Sequence, residues 1–407
     1  MRVVLAPFGS RGDVQPFLAL GCGLRARGHE VVVAAATSFR SWVEEMGFIF
    51  RPVGGDVQSW VREQGAPARH PIRFLRAFSR YLREEVPACF EQTQQAIRDA
   101  DLVVSTLHIA ARSVAEALGI PYRTVVFTTQ LIPSRHHPPL AFPSQALPGW
   151  LNRVLWWFSA KIFDLVLKKP VNRQRAGLGL SAIPGFLGYA RTEHPIVASD
   201  PAFAPLPSDA PPGIVQTGAF VLPVAGRLGP EVETFLRAGE PPVYVGFGST
   251  PDDAPERTSR IIAEAVRAVG RRAILSVGWS GLGGLPLPKD VLCVAEVPHA
   301  LLFPRVLTVV HHGGAGTTAT ALRAGVPQII VPQTGDQYFH GNRIHDLGLG
   351  PALVRRLTAK RLAQALRAVL NDPTFAQRAR VIADSVRLLD GVGAAIEELL
   401  TQHRMQH

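Results

Sequence analysis

The chain has 407 residues, of which 47% are hydrophobic and 18% charged, as expected for a folded globular protein long enough for two domains. Its formal net charge is +11, but 38 of the 43 basic residues are arginines spread along the sequence without any nucleic-acid-binding signature, which argues against DNA or RNA recognition. The three cysteines are isolated from one another, which argues against a disulfide framework or a structural zinc site.

The N-terminal part of the chain predicts a βαβ unit. A strand is expected at Arg2–Pro7, a helix at Val14–Arg27 that ends at Gly28, and a second strand at Glu30–Ala35. The opening apolar run is too short for a signal peptide and lacks a cleavage-like region. We therefore expect a cytoplasmic protein.

The first loop, Phe8–Asp13, joins the first strand to its helix and contains the run Gly-Ser-Arg-Gly-Asp. Asp13 stands at the expected helix start, where an aspartate commonly caps the helix and interacts favourably with its dipole. The same carboxylate, aimed into a cleft, could act as a general base toward a hydroxyl. Both roles stay open at this stage, and we assign Asp13 and Ser10 to the candidate catalytic group.

The first half continues the alternation of strands and helices. Further strands are expected at Phe48–Val53, Leu102–Thr106 and Tyr122–Thr128, with a helix at Ala110–Leu118. His108 follows one of these strands and could face a ligand, but a satisfied interior histidine is the favoured interpretation. The segment Asp200–Gly213 contains five prolines, which sustain neither a helix nor a central strand. We therefore expect an N-terminal domain of residues 1–213.

Two segments of the first half have a pattern that also occurs at membrane surfaces. Ile72–Arg83 places apolar residues and arginines on separate helical faces, which is typical either of a surface helix or of a basic amphipathic helix. Trp150–Lys169 is richer in aromatic residues, but its charged residues exclude a membrane-spanning helix. Its apolar residues predict core packing, a wall of a ligand pocket, or peripheral contact with a membrane.

The second half starts a new α/β alternation, from which we expect a second domain at 214–388 and a terminal helical segment at 389–407. Its strands are expected at Val243–Phe247, Arg272–Val277, Val291–Val294, Val306–Val310 and Gln328–Val331. Its helices are expected at Pro255–Val269, Thr374–Leu388 and Val392–Gln402.

A glycine-rich turn after the strand Val306–Val310 predicts an anion site. The turn begins at His312, contains three glycines and leads directly into a helix. Unpaired amides at a helix N-terminus, together with glycines that let an anion approach the backbone, suit a diphosphate. His312 would add a neutral or cationic donor, and Thr317 and Thr318 would cap the helix or bond a phosphate oxygen.

A polar pair follows the next strand. Asp336 and Gln337 come shortly after Gln328–Val331, at the carboxyl end of the strand, where open α/β sheets bind ligands. A carboxylate that accepts and an amide that both donates and accepts suit the hydroxyls of a hexose. The sequence therefore predicts a diphosphate and a sugar bound by one continuous segment.

The first loop and the segment from Val310 to Asn342 together resemble the GT-B glycosyltransferases that include sterol glucosyltransferases and the enzymes of glycopeptide and macrolide antibiotic glycosylation. The resemblance spans both halves and implies an α/β fold of two doubly wound, Rossmann-like domains that face each other across a cleft, with a C-terminal helix crossing back to the first domain. It implies acceptor binding by the N-terminal domain and donor binding by the C-terminal domain.

Site residues follow from the resemblance position by position. It implies that Asp13 is the catalytic base, and since this chain has the Gly-Ser-Arg-Gly-Asp form of the loop, a histidine base oriented by an aspartate is not carried over. The residues that it assigns to the donor are Gly248, Ser249, Trp279, Val297, His299, His312, Gly314, Ala315, Gly316, Thr317, Asp336, Gln337 and Asn342.

The resemblance implies an inverting glycosyltransferase that uses neither a metal nor a cofactor, because the nucleoside diphosphate sugar is a substrate. We expect a hexose, glucose from UDP-glucose, to move to a hydroxyl of a bulky lipophilic acceptor such as a sterol, polyketide or flavonoid. The alternatives are a dTDP-deoxysugar-dependent antibiotic glycosyltransferase, a lipid-intermediate transferase, a nucleotide-sugar epimerase and a non-catalytic membrane-docking protein. A nicotinamide-dependent oxidoreductase is disfavoured because the first loop has the wrong glycine spacing.

Overall fold

The computed structural model describes residues 1–55, 71–140, 142–223, 226–248, 252, 254–278, 281–283 and 287–404, without the side chains of residues 71–75, 78, 82 and 404. These residues form two parallel sheets with helices packed on both faces. Because each sheet is covered on both sides, its strands are nearly continuous apolar runs.

The first sheet has seven parallel strands in the order β3-β2-β1-β4-β5-β6-β7. The strands are β1 (Arg2–Ala6), β2 (Glu30–Ala35), β3 (Ile49–Pro52), β4 (Leu102–Ser105), β5 (Tyr122–Val126), β6 (Ile196–Val197) and β7 (Val215–Gln216). The first domain's helices are α1 (Arg11–Ala26), α2 (Arg40–Glu45), α3 (Pro71–Ile97), α4 (Ala111–Leu118), α5 (Gly149–Phe163), α6 (Lys169–Gly177) and α7 (Phe186–Arg191).

The second sheet has five parallel strands in the order β10-β9-β8-β11-β12. The strands are β8 (Val243–Gly246), β9 (Ala273–Ser276), β10 (Val291–Val294), β11 (Thr308–His311) and β12 (Gln328–Ile330). Its helices are α8 (Pro230–Arg237), α9 (Pro255–Ala268), α10 (His299–Leu302), α11 (Ala315–Ala324), α12 (Gln337–Asp346), α13 (Ala359–Asn371) and α14 (Thr374–Arg387), and α15 (Gly391–Arg404) ends the described chain.

The C-terminal helices divide between the two domains. Helix α14 packs against α11 of the second domain, whereas α15 packs against α1 of the first. Ala395, Ile396 and Leu399 of α15 are buried in the core on one face of the first sheet. The terminal helix therefore crosses back to the N-terminal domain, as the resemblance implies.

Some element boundaries differ from those expected. Strand β7 pairs with β6 of the first sheet although it lies just beyond residue 213, because Val215 and Gln216 return to the sheet after the proline-rich segment. Helix α3 continues to Ile97 with Pro87 inside it. Helix α1 begins at Arg11 rather than Val14, because Ser10 supplies its N-terminal cap.

Strand order sets where a site can form. In each sheet, successive strands are added first on one side of the first strand and then on the other. The order of the strands therefore reverses between β1 and β4 in the first domain and between β8 and β11 in the second. Loops on either side of such a switch point diverge and leave a crevice at the carboxyl ends of the strands. The first loop follows β1 and the glycine turn, His312–Thr317, follows β11, so both candidate segments lie at switch points.

Candidate active site

The first loop presents Asp13 from the first turn of α1. Ser10 is the N-cap residue, and its Oγ accepts a hydrogen bond from the backbone N–H of Gly12 at 3.3 Å. Asp13 completes a capping box, because its Oδ2 accepts from the backbone N–H of Ser10 at 2.7 Å and lies 3.1 Å from Ser10 Oγ. Capping and catalysis are therefore not exclusive: Oδ2 caps the helix, and Oδ1 has no hydrogen-bond partner within the described residues.

Gly9 allows this close approach. Its φ of 139° lies in a region that side chains rarely adopt, and a Cβ on this residue would overlap the carboxylate of Asp13. Gly9, the first glycine of the Gly-Ser-Arg-Gly-Asp run, is thus required because the Asp13 carboxylate occupies the space that a side chain would need.

The environment of Asp13 changes its acidity. Burial raises the pKa of the carboxyl from 3.8 to about 6, against the opposing effect of the Ser10 hydrogen bonds. The negative charge of Asp336, from the second domain, raises the pKa of Asp13 further. The Asp336 carboxylate is therefore near enough for its charge to act on Asp13 from the opposite domain.

His108 lies behind the first loop and is buried, as expected. Its Nδ1 accepts hydrogen bonds from the backbone N–H groups of Ala110 and Ala111 at 3.0 and 3.1 Å, so the histidine caps α4. Because Nδ1 accepts, the proton is on Nε2. Burial lowers the pKa of His108 to about 3, and its ring lies 4.9 Å from that of Phe8.

Two histidines, His311 and His340, form hydrogen bonds with the backbone of the glycine turn. His311 Nδ1 accepts from the backbone N–H of Gly313 at 3.1 Å, and its Nε2 lies 2.8 Å from Gln328 Oε1. His340 Nδ1 lies 2.8 Å from the carbonyl oxygen of Gly313. Both backbone polar groups of Gly313 are therefore satisfied by imidazoles, which determines the shape of the turn.

The end of α11 that meets the cleft has no side-chain cap. Its N-cap residue is Gly314, so the first-turn N–H groups have neither an intrahelical partner nor a capping side chain. The expected capping role of Thr317 and Thr318 is wrong, since both lie inside the helix. Gly314, Ala315, Gly316 and Thr317 form an open N-terminus that can receive an anion.

His312 stands at the entrance to this turn as a neutral imidazole. Burial lowers the pKa of His312 to about 4, and the electrostatic influence of the neighbouring His340 contributes to this lowering. Its Nδ1 is shielded from solvent and has no hydrogen-bond partner in the described part of the chain. Gly248, after β8, packs against it, because a Cβ on Gly248 would lie 2.9 Å from His312 Cε1. The sequence left both a neutral and a cationic His312 open, and the lowered pKa favours the neutral imidazole near pH 7.

Asp336 and Gln337 lie at the start of α12 beside the glycine turn. Gln337 Oε1 accepts from the backbone N–H groups of Gln333 and Thr334 at 2.7 and 3.1 Å. The expectation that this amide both accepts and donates toward a ligand is therefore corrected: the oxygen is occupied, and only Nε2 is available as a donor. Asp336 remains partly exposed, with its Oδ2 3.7 Å from His340 Nδ1.

Val297 and His299 follow β10, which lies at the opposite edge of the second sheet from β12. His299 Nε2 is hydrogen-bonded to Tyr244 Oη at 2.7 Å, and its ring stacks on Phe303 with centroids 4.5 Å apart. Burial lowers the pKa of His299 to about 4, and the nearby Arg11 guanidinium lowers it further. Val297 packs partly buried against the second domain's core.

Arg11 connects the two halves of the site. Its Nη1 lies 2.6 Å from Glu296 Oε1, and its guanidinium lies over the ring of Trp42 at 4.6 Å from the ring centroid.

Three residues of the site were not predicted from the sequence: Arg11, Glu296 and His340. His340 could have been predicted, because it lies four residues after Asp336 on the same helix. The contact of Arg11 with Glu296 could not, because the two residues are far apart in the sequence.

The remaining candidates are farther from the turn or not described. Asn342 Nδ2 donates to the carbonyl oxygen of Tyr338 at 2.7 Å, within its own helix. Ser249 and Trp279 lie outside the described residues. Across the described ranges, no three histidine, cysteine, aspartate or glutamate side chains form a group that could hold a metal ion.

Two family models match the chain. Residues 3–133 match the glycosyltransferase family 28 N-terminal domain, and residues 259–388 match the erythromycin biosynthesis protein CIII-like C-terminal domain. The first match contains Asp13, and the second contains the glycine turn and the Asp336–Gln337 pair.

Characterised relatives resemble the chain over nearly its whole length. It is 36% identical to the vancomycin aglycone glucosyltransferase of Amycolatopsis orientalis over 411 residues, covering 98% of this chain and 97% of the relative. It is 34% identical to sterol 3-beta-glucosyltransferase UGT80B1 of Arabidopsis thaliana, covering 98% of this chain and 67% of the plant protein. Among solved structures, the glycosyltransferase VinC in complex with dTDP aligns with a TM-score of 0.70 and 22% identity, covering 100% of both chains.

Proposed function

Because the chain belongs to the GT-B glycosyltransferases that include the glycopeptide antibiotic and sterol enzymes, we propose that it transfers a hexose from UDP-glucose to a hydroxyl of a bulky lipophilic acceptor, with inversion. One observation carries the proposal. The carboxyl of Asp13, with a pKa raised to about 6 in part by the charge of Asp336, lies on α1, and α1 packs against α11 of the opposite domain.

The reaction is a single displacement. Oδ1 of Asp13 takes the proton of the acceptor hydroxyl while the acceptor oxygen bonds to the anomeric carbon. The bond from that carbon to the diphosphate oxygen breaks, and its electron pair leaves with the nucleoside diphosphate. Attack from the side opposite to the leaving group inverts the configuration at the anomeric carbon.

The departing diphosphate gains negative charge, which the glycine turn stabilises. The first-turn amides of α11 and the helix dipole are oriented before the reaction, so little reorganisation is needed as charge develops. His312 is neutral near pH 7 and donates a hydrogen bond to a phosphate oxygen rather than a full positive charge. We infer that no divalent cation is needed, and activity undiminished by EDTA is the expected result.

The sugar is bound by Asp336 and by the amide nitrogen of Gln337. A carboxylate that accepts and an amide that donates match neighbouring hydroxyls of a fully hydroxylated hexose, which favours glucose over a deoxysugar. The second candidate is a dTDP-linked deoxysugar, because VinC, a structural neighbour, binds dTDP.

The acceptor is bulky and lipophilic, in line with the names of the relatives, one acting on an aglycone and one on a sterol. The aromatic cluster of His137, Trp156 and Phe339 supports this part of the proposal, because it gathers apolar side chains where the acceptor domain meets α12.

A donor and acceptor panel tests the proposal. UDP-glucose, dTDP-glucose and a dTDP-deoxysugar are each supplied with a sterol, a polyketide aglycone or a flavonoid, and the products are identified by mass spectrometry and by the anomeric NMR coupling. A β-glucoside formed from UDP-glucose supports the proposal. If sugar is transferred only from dTDP-deoxysugars, the second candidate function is supported instead. If the donor is epimerised and no sugar is transferred, both candidate functions are contradicted.

A further inference from the structure

Helix α5 and the π-helical segment after it, Asp164–Lys168, expose large apolar side chains that the described chain does not cover. Trp150 is 67% exposed, Trp157 63% and Leu165 83%, and Val154 and Phe158 are exposed as well. We call these five residues the Trp157 face. Large aromatic residues exposed side by side on a folded protein usually mark a contact surface.

The Trp157 face lies opposite the buried side of the helix. At 100° per residue, Trp150, Val154 and Trp157 fall on one side, and Asn152 and Trp156 fall on the other. Trp156 Nε1 donates to the carbonyl oxygen of His137 at 3.1 Å, and Asn152 Nδ2 donates to that of Arg135 at 2.8 Å. The inner contacts fix the orientation of α5, so the Trp157 face is held outward rather than transiently exposed.

Positive charge surrounds these apolar residues. Residues 149–177 contain six basic side chains and one acidic side chain, Asp164. The Oδ1 of Asp164 accepts from the backbone N–H of Phe186 at 2.7 Å, and Arg175 is buried in an ion pair with Glu116. The other cations of the segment have no ion-pair partner in the part of the chain that the structure describes; they are Arg153, Lys161, Lys168, Lys169 and Arg173.

Lysine lies within the apolar surface as well as around it. Lys161 is on the same side of α5 as Trp157, with its Nζ 6.0 Å from the Trp157 ring. The π-helical segment Asp164–Lys168 packs against α3, on which Arg76 and Arg80 are exposed. Tryptophan next to lysine and arginine is the composition found where proteins meet the headgroup region of a bilayer.

We propose that the Trp157 face docks on the surface of an anionic lipid bilayer. The tryptophans enter the headgroup layer, and the flanking cations contact lipid phosphates, so that each basic residue near the surface adds electrostatic attraction. A second copy of the chain fits this face less well, because a twofold contact would bring like charges together. Among the described residues, no helix has both the length and the hydropathy to cross a bilayer, so the contact is peripheral.

The test is co-sedimentation of the full chain with vesicles of phosphatidylcholine alone or with added phosphatidylglycerol. We expect binding to the anionic vesicles that weakens in high salt. The double variant Trp150→Ser/Trp157→Ser is expected to bind about tenfold more weakly or worse. The variant Arg153→Glu/Lys161→Glu is expected to lose the preference for phosphatidylglycerol.

The matched control is Val381→Ser/Leu388→Ser in the second domain, where both side chains are 70% or more exposed, and it should bind like the unchanged chain. Thermal melting confirms that each variant folds. Equal binding of unchanged chain and tryptophan variant overturns the proposal. So does a dimer that dissociates in the tryptophan variant while the unchanged chain ignores vesicles. Because vesicle binding needs neither donor nor acceptor, its failure is distinguishable from failure of the proposed transfer reaction.

Discussion

At the scale of single residues, Asp13 combines two functions in one carboxylate. Oδ2 belongs to the capping box of α1, and Oδ1 has no hydrogen-bond partner in the described part of the chain. Because one oxygen is bonded to the Ser10 backbone, the side chain has little freedom to rotate away from the acceptor. Ser10, expected among the catalytic residues, holds Asp13 in position and touches the same oxygen that caps the helix.

Replacing Asp13 by asparagine separates the two functions. The carboxamide oxygen still accepts from the Ser10 N–H, but the side chain no longer takes a proton. We expect kcat to fall about 10²–10⁴-fold, the usual contribution of a general base, with donor affinity unchanged. Steady-state kinetics and calorimetric titration with UDP check this, and a variant that keeps more than a tenth of the activity contradicts the assignment.

The raised pKa of Asp13 predicts both an activity profile and a stability profile. Activity should fall as pH drops below about 6, because the protonated carboxyl cannot act as a base. The folded chain holds this proton up to about pH 6 and the unfolded chain only to about 3.8, so stability from this group is present at low pH and is lost as pH rises through 6.

Asp13→Asn should therefore be more stable than the unchanged chain at pH 8, where the latter carries a poorly solvated charge. The advantage should be smaller at pH 5. Urea midpoints at the two pH values measure it. An advantage that is equal at both pH values would argue against the raised pKa.

At the scale of elements, the glycine turn depends on contacts with two histidines rather than on its own sequence. Gly313 has a φ of 95°, and a Cβ there would lie 3.0 Å from the carbonyl oxygen of Gln337. His311 and His340 then bond the N–H and the carbonyl oxygen of Gly313. The turn is rigid before any ligand arrives, as electrostatic stabilisation of a leaving group requires.

Gly313→Ala tests the turn. Strain at this backbone conformation should lower the free energy of unfolding by about 1–3 kcal/mol and weaken binding of the nucleoside diphosphate. The matched control is Gly119→Ala at the C-terminal end of α4, whose φ is 67° and where a Cβ meets nothing within 4 Å. The control should lose stability but keep the Kd for UDP. Equal Kd values in both variants would contradict the role of the turn.

At the scale of the whole molecule, the domains are joined by a buried ion pair. Asp200 is 2% exposed, and its two oxygens accept from Arg323 at 2.6 and 2.9 Å. Asp200 Oδ1 also accepts from the backbone N–H of Ala219 at 3.0 Å, just after β7. The same side chain thus connects the segment that leaves the first sheet with the far end of α11, the helix whose near end forms the diphosphate site.

Asp200→Ala leaves the Arg323 guanidinium buried without its partner. We expect a loss of about 3–5 kcal/mol in the free energy of unfolding, measured by urea denaturation. Arg2 and Glu30 form a control pair at 2.8 Å on the surface, and Glu30→Ala should lower the free energy of unfolding much less, because water screens an exposed pair. Similar losses of unfolding free energy in both variants would show that the Asp200–Arg323 pair stabilises the protein no more than a surface pair does.

Much of the fold could be predicted because its signals are local. The strands β2 and β10 were expected at their observed bounds, and β1 and β4 to within about a residue, because apolar runs bounded by glycine and proline can be recognised along the chain. The glycine turn was equally local. By contrast, β7 was missed because two residues that return to a sheet edge have no periodicity to recognise.

The sequence by itself determined the alternation of strands and helices, the glycine turn and the polar pair after β12, because each depends on residues that are neighbours in the chain. Only the tertiary structure decided that Asp13 keeps its proton to about pH 6, that His312 is neutral and that Gln337 can only donate. Charge state and hydrogen-bond capacity depend on which groups exclude water from a side chain or occupy its polar atoms. Those groups, such as Asp336 beside Asp13, come from distant parts of the sequence.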